Sequence, residues 1–298
     1  MKQFNVLSFY QDYRISVAPD GHKHARFGWI QIPCPFCTGN PGYHLGFKED
    51  KGYFNCWRCG FHSIKEVIKE LLDCNWKKAK QVYDEYLERV GRVVDKAELV
   101  ENRILLLPEG TAPLQKIHKK YLTSRGFESW VEELFDLKGT SYFGPYSHRI
   151  IAPIYYRGQL VSYQSRDYTG KTDMRWKACS DSHELLSHKT MVYGSDLVPT
   201  SVAIVVEGIS DVWKIGPGAV ATSGVEYKTE QVRFLAKHFS KLYVMFDNDS
   251  AGRRAGKSLR AELEFRGVET ESIPVKSDPG DMEQEEIQEL LNKYKILG

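Results

Sequence analysis

Four strand patterns alternate with helical patterns through the last third of the chain. Three are apolar runs, at 202–206, 219–221 and 241–246, and the fourth is a strand predicted over 268–275. Helical spacing follows Gly208 and recurs over 229–239 and 251–265. Continuous apolar runs of strand length that alternate with helices predict parallel strands buried on both faces. Residues 201–298 are therefore predicted to form an α/β domain with a mostly parallel sheet.

The first 60 residues are short segments punctuated by proline and glycine, with aromatic residues between them. This pattern predicts short strands and turns without helix. After Gly60 the pattern changes, because Ser63 and Glu66 have the spacing of a capping box and apolar residues follow at helical intervals. A second helix is predicted over 76–90, with four residues facing inward: Trp76, Ala79, Val82 (or Tyr83) and Tyr86.

The middle of the chain predicts a linker and a second small domain. Residues 91–112 are charged and end in the turn-forming sequence LPEG, which is typical of a linker. A short helix is expected near 113–125, and strand patterns over 149–156 and 159–166 flank Arg157-Gly158 as in a hairpin. The predicted organisation is an α+β domain at 1–90, a linker at 91–112, a small α+β subdomain at 113–200 and the α/β domain at 201–298.

The composition is that of an ordinary globular protein, with 298 residues of which 42% are hydrophobic and 27% charged. No apolar run approaches the roughly 18 residues that a membrane-spanning helix needs, and the first residues lack the apolar core of a secretory signal. We therefore expect no membrane association and a reducing cytoplasm. The net charge of +2 does not by itself indicate a partner.

Four of the six cysteines form two pairs with the spacing C-x2-C-x18-C-x2-C, namely Cys34, Cys37, Cys56 and Cys59. Two such pairs on tight turns can bring four thiolates to one tetrahedral ion, which indicates a structural zinc ribbon. Four thiolates leave no open position for a substrate, so this zinc is expected to stabilise the fold. The alternatives are cysteines without metal, or replacement of one ligand by His44 or His62. Cys74 and Cys179 are predicted to be ordinary free thiols.

Aromatic and basic residues are interleaved around the cysteine pairs. They are Phe36, Tyr43, Phe47, Tyr53, Phe54 and Trp57, with Lys48, Lys51 and Arg58. In single-stranded nucleic acid the bases stack on aromatic rings while the phosphates pair with cations. We therefore predict a nucleic-acid-binding face on the ribbon, although any single ring can instead belong to the small core of the ribbon.

Three acidic clusters come directly after predicted strands of the C-terminal domain. In chain order they are Glu207 with Asp211, Asp247 with Asp249, and Asp278. The carboxyl ends of parallel strands meet in one crevice, where converging carboxylates repel one another unless a cation neutralises them. Oxygen ligands suit Mg²⁺ or Mn²⁺. The alternative is that individual members, Asp249 or Asp211 in particular, only cap helices.

These clusters carry a family resemblance. The segments EGISD (207–211), FDNDSAG (246–252) and KSDPGD (276–281) resemble the Toprim domain. The segment 149–168, followed by MRWK (174–177), resembles the basic subdomain that precedes Toprim in DNA primases of the DnaG type. The cysteine ribbon resembles the zinc-binding domain of the same family, so the resemblance covers nearly the whole chain.

The resemblance implies synthesis of short RNA primers on single-stranded DNA from ribonucleoside triphosphates. It implies that Glu207, Asp247, Asp249 and Asp278 hold Mg²⁺ or Mn²⁺ and that Asp211 completes the catalytic set. It also implies that Glu207 assists proton removal from the attacking hydroxyl. Loss of both Asp247 and Asp249 is then expected to abolish synthesis and leave the fold intact.

Four basic residues are implied to bind nucleotide phosphates or template: Arg149, Arg166, Arg175 and Lys177. Arg149 is the weaker candidate, and each of the four can instead be a solvated surface cation.

The chain departs from the family pattern in its zinc ligands. DnaG-type bacterial primases usually carry a histidine there, whereas this chain offers four cysteines, as helicase-linked phage primases do. The sequence also contains no Walker-type phosphate loop. We therefore expect a small stand-alone primase of a phage or another mobile element, in a bacterial cell or phage-infected host, with a separate replicative helicase as partner.

Two other functions stay open at this point. A non-catalytic mediator that resembles RecR also joins a zinc module to Toprim, but the long basic segment and the full acidic set argue against it. A Toprim nuclease is not expected to carry the ribbon and the basic segment. A type IA topoisomerase would need a much longer chain.

Overall fold

The computed structural model describes residues 2–37, 42–89, 103–275 and 279–296. The chain divides into two compact units, Met1–Val93 and Val94–Gly298. Residues 91–102 of the predicted linker and the candidate metal ligand Asp278 lie outside the described residues. In the described ranges no helix is both long and apolar enough to cross a bilayer.

The N-terminal unit contains six strands and three helices among its described residues. The strands are β1 (Lys2–Phe4), β2 (Trp29–Ile32), β3 (Leu45–Lys48), β4 (Tyr53–Cys56), β5 (Gly60–His62) and β6 (Leu87–Arg89). The helices are α1 (Val6–Asp12), α2 (Ile64–Leu71) and α3 (Trp76–Glu85). Strands β2 to β5 form an antiparallel sheet in sequence order, and β1 pairs antiparallel with β6. The first and last strands of the unit therefore lie side by side.

The four-stranded sheet has one buried and one outward face. Phe47 and Phe54 are opposite each other in the register and are 2% and 0% exposed, so their face belongs to the core. Trp29, Lys48 and Tyr53 are paired across β2, β3 and β4 and share the other face. Side chains alternate between the two faces of a strand, so Phe54 packs in the core while the adjacent Tyr53 lies on the outward face.

Helix α1 contradicts the prediction that the first 60 residues contain no helix. Asn5 caps it by accepting a hydrogen bond from the Ser8 N–H at 2.9 Å, and Val6, Phe9 and Tyr10 are buried at helical spacing. The helix precedes the segment rich in proline and glycine, and its cap and apolar spacing were the local signal for it.

The second helix of this unit was predicted too long. Helix α3 ends at Glu85, because the following residues extend to pair with β1 as strand β6. Ala79, Val82 and Tyr86 are buried as predicted, whereas Trp76 is 57% exposed. A pairing partner more than eighty residues away in sequence cannot be read from local periodicity.

The C-terminal unit contains two sheets. Strands β7 (Ala112–Pro113), β8 (Lys138–Gly139), β9 (Arg149–Tyr156), β10 (Gln159–Asp167) and β11 (Trp176–Ala178) form an antiparallel sheet in the order β11-β10-β9-β8-β7. Strands β12 (Val202–Val206), β13 (Ala219–Ala221), β14 (Lys241–Val244) and β15 (Glu269–Ser272) form a parallel sheet in the order β13-β12-β14-β15. The helices are α4 (Lys116–Ser124), α5 (Trp130–Leu134), α6 (Ile209–Ile215), α7 (Thr229–His238), α8 (Ser250–Phe265) and α9 (Gln284–Tyr294).

Both faces of the parallel sheet are covered, as the apolar runs predicted. Along β12, Ile204 and Val206 belong to one buried cluster while Ala203 and Val205 belong to another. The first cluster also contains Ile150 and Leu122 from the preceding segment. Residues 113–200 and 201–298, which the sequence suggested as separate subdomains, thus share a core within one compact unit.

The predicted hairpin forms between β9 and β10, but its register shifts between Leu160 and Ser162. A regular hairpin with the observed turn would place Arg149 opposite Arg166 on one face of the sheet. After the shift, Arg149 pairs with Asp167 and Arg166 pairs with Ile150. A one-residue irregularity of this kind moves the following side chains to the opposite face relative to the partner strand. The two arginines therefore lie on different faces.

Candidate catalytic cavity and candidate zinc centre

Three of the predicted acidic residues line one cavity of about 270 Å³. Glu207 follows β12, Asp247 follows the end of β14, and Asp211 lies in the first turn of α6. The side chains meet because parallel strands end at the same edge of a sheet. Glu207 and Asp211 are only 9% and 5% exposed, so their charges are poorly screened by solvent.

Backbone amides orient these carboxylates. Glu207 Oε1 accepts a hydrogen bond from the Asp247 N–H at 3.0 Å, and Asp211 Oδ2 accepts one from the Gly208 N–H at 2.8 Å. Gly252 in α8 makes room for this arrangement, since a Cβ there would lie 2.5 Å from Glu207 Oε1.

An oxygen-only donor set of buried carboxylates matches the ligand preference of Mg²⁺ or Mn²⁺. In the described part of the chain, however, only the four cysteines bring three or more ligand atoms within 4.8 Å of one another. Mg²⁺ usually keeps several water ligands, so carboxylates spaced more widely than that can still share its coordination sphere.

The opposite wall of the cavity comes from the antiparallel sheet. Gln164 of β10 and Trp176 of β11 line it, and Arg166 lies on the same face of that sheet. The Arg166 guanidinium lies 5.5 Å from the centre of the Trp176 ring, and its Nε donates to the Tyr121 hydroxyl at 3.0 Å. The cavity thus has carboxylates on one side and an arginine stacked on an aromatic ring beside the other.

Other predicted basic residues do not face this cavity. The Arg149 guanidinium is buried and donates to the carbonyl oxygens of Ser165 and Met174 at 3.1 and 2.9 Å, which gives it a structural role. Lys177 pairs with Ser165 and so lies on the face opposite Trp176, where its Nζ donates to the Pro145 carbonyl at 2.6 Å. Arg175 is exposed.

Asp249 has a structural role that the sequence analysis treated as the alternative. It is the N-cap of α8, and its Oδ1 accepts a hydrogen bond from the Gly252 N–H at 2.7 Å. Asp249 therefore contributes to the stability of α8, because an N-cap is worth about 1 kcal/mol. That the fold stays intact without Asp247 and Asp249 remains a prediction. Asp249 is exposed and does not line the cavity with Asp247.

Among the lining residues that sequence reasoning did not single out, four have polar or aromatic side chains: Gln164, Trp176, Ser210 and Ser223. Side-chain alternation along β10 places Gln164 on the face of Arg166, so the strand predicted over 159–166 contained a signal for Gln164. Ser223 has a φ of +62°, a backbone conformation that residues other than glycine rarely adopt. Nothing in the sequence indicates that conformation.

The four predicted cysteines form a second centre, in the N-terminal unit. The Sγ pairs Cys34–Cys59, Cys37–Cys56 and Cys37–Cys59 are separated by 3.6, 3.6 and 3.5 Å. Ligands on a tetrahedral zinc with Zn–S bonds of about 2.3 Å lie about 3.8 Å apart, so this spacing fits the ion. These are free thiols without a disulfide.

The turn after β4 lowers the pKa of one of these thiols, and the thiolate is the form that binds a metal. Burial raises the pKa of Cys56, but the N–H groups of Cys59 and Arg58 point at its sulfur and the net effect lowers the pKa to about 7. His62 Nε2 lies 3.1 Å from Cys59 Sγ, and the His62 ring stacks on Phe36 at 3.8 Å. His62 therefore lies beside the four sulfurs without belonging to the four-atom group.

The aromatic residues of the ribbon divide between its core and its outer face. Phe47 and Phe54 are core residues, whereas Tyr53 and Trp57 contact Trp29 on the outer face with ring centres 5.8 and 5.1 Å away. Two cations lie over these outer rings: Lys48 over Trp29 at 5.4 Å and Arg26 over Trp57 at 4.8 Å. We call Trp29, Tyr53, Trp57, Arg26 and Lys48 the outer aromatic face.

Comparison with known proteins supports this description. Residues 204–284 match the family model described as Toprim-like. The DNA primase of Staphylococcus aureus (strain COL) is 28% identical over 153 residues, which are 47% of this chain and 25% of that protein. The match therefore spans about a quarter of the length of that relative.

Two solved structures share the fold. The zinc-binding and RNA polymerase domains of the Aquifex aeolicus primase align over 97% of this chain and 82% of theirs, with a TM-score of 0.52 and 20% identity. A DnaG primase catalytic domain bound to ssDNA aligns over 61% of this chain and 72% of its own, with a TM-score of 0.51 and 18% identity. The three carboxylates of the cavity, Glu207, Asp211 and Asp247, lie in the segment that matches the Toprim-like family, and the chain is similar in sequence to a DNA primase and in fold to solved primase domains.

Proposed function

We propose that this chain synthesises short RNA primers on single-stranded DNA from ribonucleoside triphosphates. The observation that carries the proposal is the cavity in which Glu207, Asp211 and Asp247 face Trp176, with Arg166 beside it. Phosphoryl transfer requires positioning and neutralisation of negative charge more than covalent chemistry. A cavity with a carboxylate wall for cations and a neighbouring arginine for phosphates meets both needs.

In this proposal Glu207, Asp247 and Asp211 hold Mg²⁺ or Mn²⁺, and Asp249 and Asp278 remain candidates. A divalent ion at these carboxylates would neutralise negative charge on the triphosphate and on the leaving pyrophosphate. Arg166 binds phosphate oxygens, and its stacking on Trp176 limits the positions that its guanidinium can take. Glu207 is held by the Asp247 N–H and accepts the proton of the attacking hydroxyl.

The N-terminal unit is proposed to hold zinc through Cys34, Cys37, Cys56 and Cys59 and to bind template. The outer aromatic face offers rings for base stacking and two cations for phosphates. Arg175 and Lys177 remain candidates for template contacts outside the cavity. A separate helicase partner and a phage or mobile-element source stay predictions.

Incubation with single-stranded DNA, labelled ribonucleotides and Mg²⁺ tests the proposal. We expect oligoribonucleotides from the wild-type chain, loss of product in Asp247→Asn, and normal product in Asp181→Asn, which changes an exposed acid outside the cavity. Shortened DNA in place of RNA product would support the nuclease alternative. DNA binding without any product would support the mediator alternative.

A further inference from the structure

A second cavity, of about 200 Å³, lies in the C-terminal unit and shares no lining residue with the carboxylate cavity. Its lining is mainly apolar: Leu134, Phe135, Pro153, Ile154, Tyr155, Val192, Tyr193 and Leu197. The charged residues that line it are Asp136 and Asp196, and its described lining includes no basic residue. We call this space the apolar cavity.

Packing fixes the walls of the apolar cavity. The rings of Phe135 and Tyr193 stack at 5.9 Å, and the Tyr193 hydroxyl accepts a hydrogen bond from Trp213 Nε1 at 2.9 Å. Tyr193 also forms a β-bridge with Ala221 at the edge of the parallel sheet. The next residue, Gly194, has a φ of +81°, and a Cβ there would lie 2.9 Å from the Ala219 carbonyl oxygen. The cavity is therefore preformed, as ligand sites usually are.

Negative charge lies where the cavity meets solvent. Asp136 Oδ2 accepts a hydrogen bond from the Tyr155 hydroxyl at 2.6 Å, and Oδ1 pairs with Lys138 Nζ at 2.5 Å. These contacts hold the Asp136 carboxylate in place and in its charged form, since they lower its pKa against the opposing effect of burial. Asp196 is exposed at the lining turn.

We propose that the apolar cavity binds a small organic cation that carries one aromatic or cyclic apolar group. The ring would occupy the space between Phe135, Ile154 and Leu197, and the cationic end would face Asp196 and Asp136. Charge complementarity selects the cation: Asp136 is paired with Lys138, but Asp196 adds a second carboxylate at the exposed lining turn, so an anion with the same ring would meet net negative charge. The proposal is independent of the primer synthesis proposed above.

Calorimetric titration of the full chain with benzamidine tests the proposal, in the presence of excess Mg²⁺ so that the carboxylate cavity is screened. We expect one benzamidine molecule to bind with modest affinity, because a ligand with few atoms makes few contacts. Benzoate, which has the same ring and the opposite charge, should bind at least about tenfold more weakly. Leu197→Trp should abolish benzamidine binding by filling the cavity. Asp196→Asn should weaken binding by up to about fivefold, the worth of a partly exposed ion pair.

Asp181→Asn is the matched control, because it removes one exposed carboxylate from the same unit outside the cavity. Its affinity for benzamidine should equal that of the wild type. Absence of benzamidine binding, or equal binding of benzoate, would overturn the proposal. So would benzamidine binding that survives both Leu197→Trp and Asp196→Asn, since the ligand would then occupy another place. Thermal denaturation of each variant checks that it is folded.

Discussion

Glu207 and Asp247 are joined by a hydrogen bond in which the Asp247 N–H donates to Glu207 Oε1 at 3.0 Å. The two residues follow neighbouring parallel strands, β12 and β14. The bond therefore connects two residues that are forty positions apart in sequence, and the backbone of Asp247 orients the side chain of Glu207.

Replacing Glu207 by glutamine removes the negative charge of the side chain but keeps the oxygen that accepts this hydrogen bond. The amide oxygen of Glu207→Gln can still accept the Asp247 N–H, so the free energy of unfolding should change little. Primer synthesis should fall by at least about 100-fold, because one negative charge is lost where cations must be held. Glu226→Gln, which changes an exposed acid, is the control for a gel assay of primer synthesis. Full activity in Glu207→Gln would remove Glu207 from the proposed site.

Gly252→Ala should damage both stability and activity, although alanine is normally the better helix former by about 1 kcal/mol. The added Cβ would lie 2.5 Å from Glu207 Oε1, so the carboxylate or the start of α8 must move. We expect a loss of about 1–3 kcal/mol, typical of overpacking. Gly256→Ala on the same helix is the control, because its Cβ would lie 3.4 Å from Val244 Cγ1. Chemical denaturation measures both, and equal stability of the two variants would contradict this account of Gly252.

Two substitutions at Asp249 distinguish its cap from a role in metal binding. Asparagine is as good an N-cap as aspartate, so Asp249→Asn should keep the stability of α8 while Asp249→Ala loses about 1 kcal/mol. If Asp249 also binds a cation, both variants should lose primer synthesis. If it only caps the helix, Asp249→Asn should keep it. Unfolding curves and primer assays on the same preparations give the answer.

Removal of one thiol should release zinc from the N-terminal unit. We expect Cys37→Ser to reduce bound zinc to well below one equivalent per chain, as measured by elemental analysis, and to destabilise that unit, because structural zinc sites contribute folding energy directly. Cys74→Ser is the control, since Cys74 is outside the four-cysteine group. Full zinc content in Cys37→Ser would contradict the assignment of this ligand.

The buried Glu184 should make stability depend on pH in the acid range. Burial opposes its charged form, but hydrogen bonds from the His188 N–H, His188 Nδ1 and Ser162 Oγ, at 2.8–2.9 Å, outweigh burial and lower its pKa below the ordinary 4.5. A group with a lowered pKa stabilises the fold above its unfolded pKa and loses that contribution as the pH falls through the folded value. Urea unfolding should therefore show stability falling below about pH 4.5, with a smaller pH dependence in Glu184→Gln. An unchanged pH dependence in that variant would rule out this source.

Features set by local spacing were predictable from the sequence. The two C-x2-C pairs predicted the four-cysteine cluster, since each pair occupies one turn. The apolar runs gave the parallel sheet, and strands β12 and β14 then brought Glu207 and Asp247 to one edge. These inferences needed only the chain order and the rule that parallel strands end together.

Features that depend on strand register, or on a residue that fits two roles, were not predictable from the sequence. The shift between Leu160 and Ser162 placed Arg149 and Arg166 on opposite faces, and no sequence signal marks it. Asp249 has both the spacing expected of a metal-binding pair and the position of a helix N-cap. The motif alone therefore does not distinguish metal binding from capping. Strand β6 depends on a partner at the opposite end of its unit.

The pairing of β1 with β6 also sets where the tether to the second unit begins. Since Leu87–Arg89 is held against Lys2–Phe4, the connecting stretch starts only after Arg89. Deleting the first four residues would remove Lys2–Phe4 and leave the backbone hydrogen-bonding groups of β6 without their partner strand. Residues 2–4 thus hold the last described strand of a unit whose cysteine cluster lies between the two paired strands in sequence.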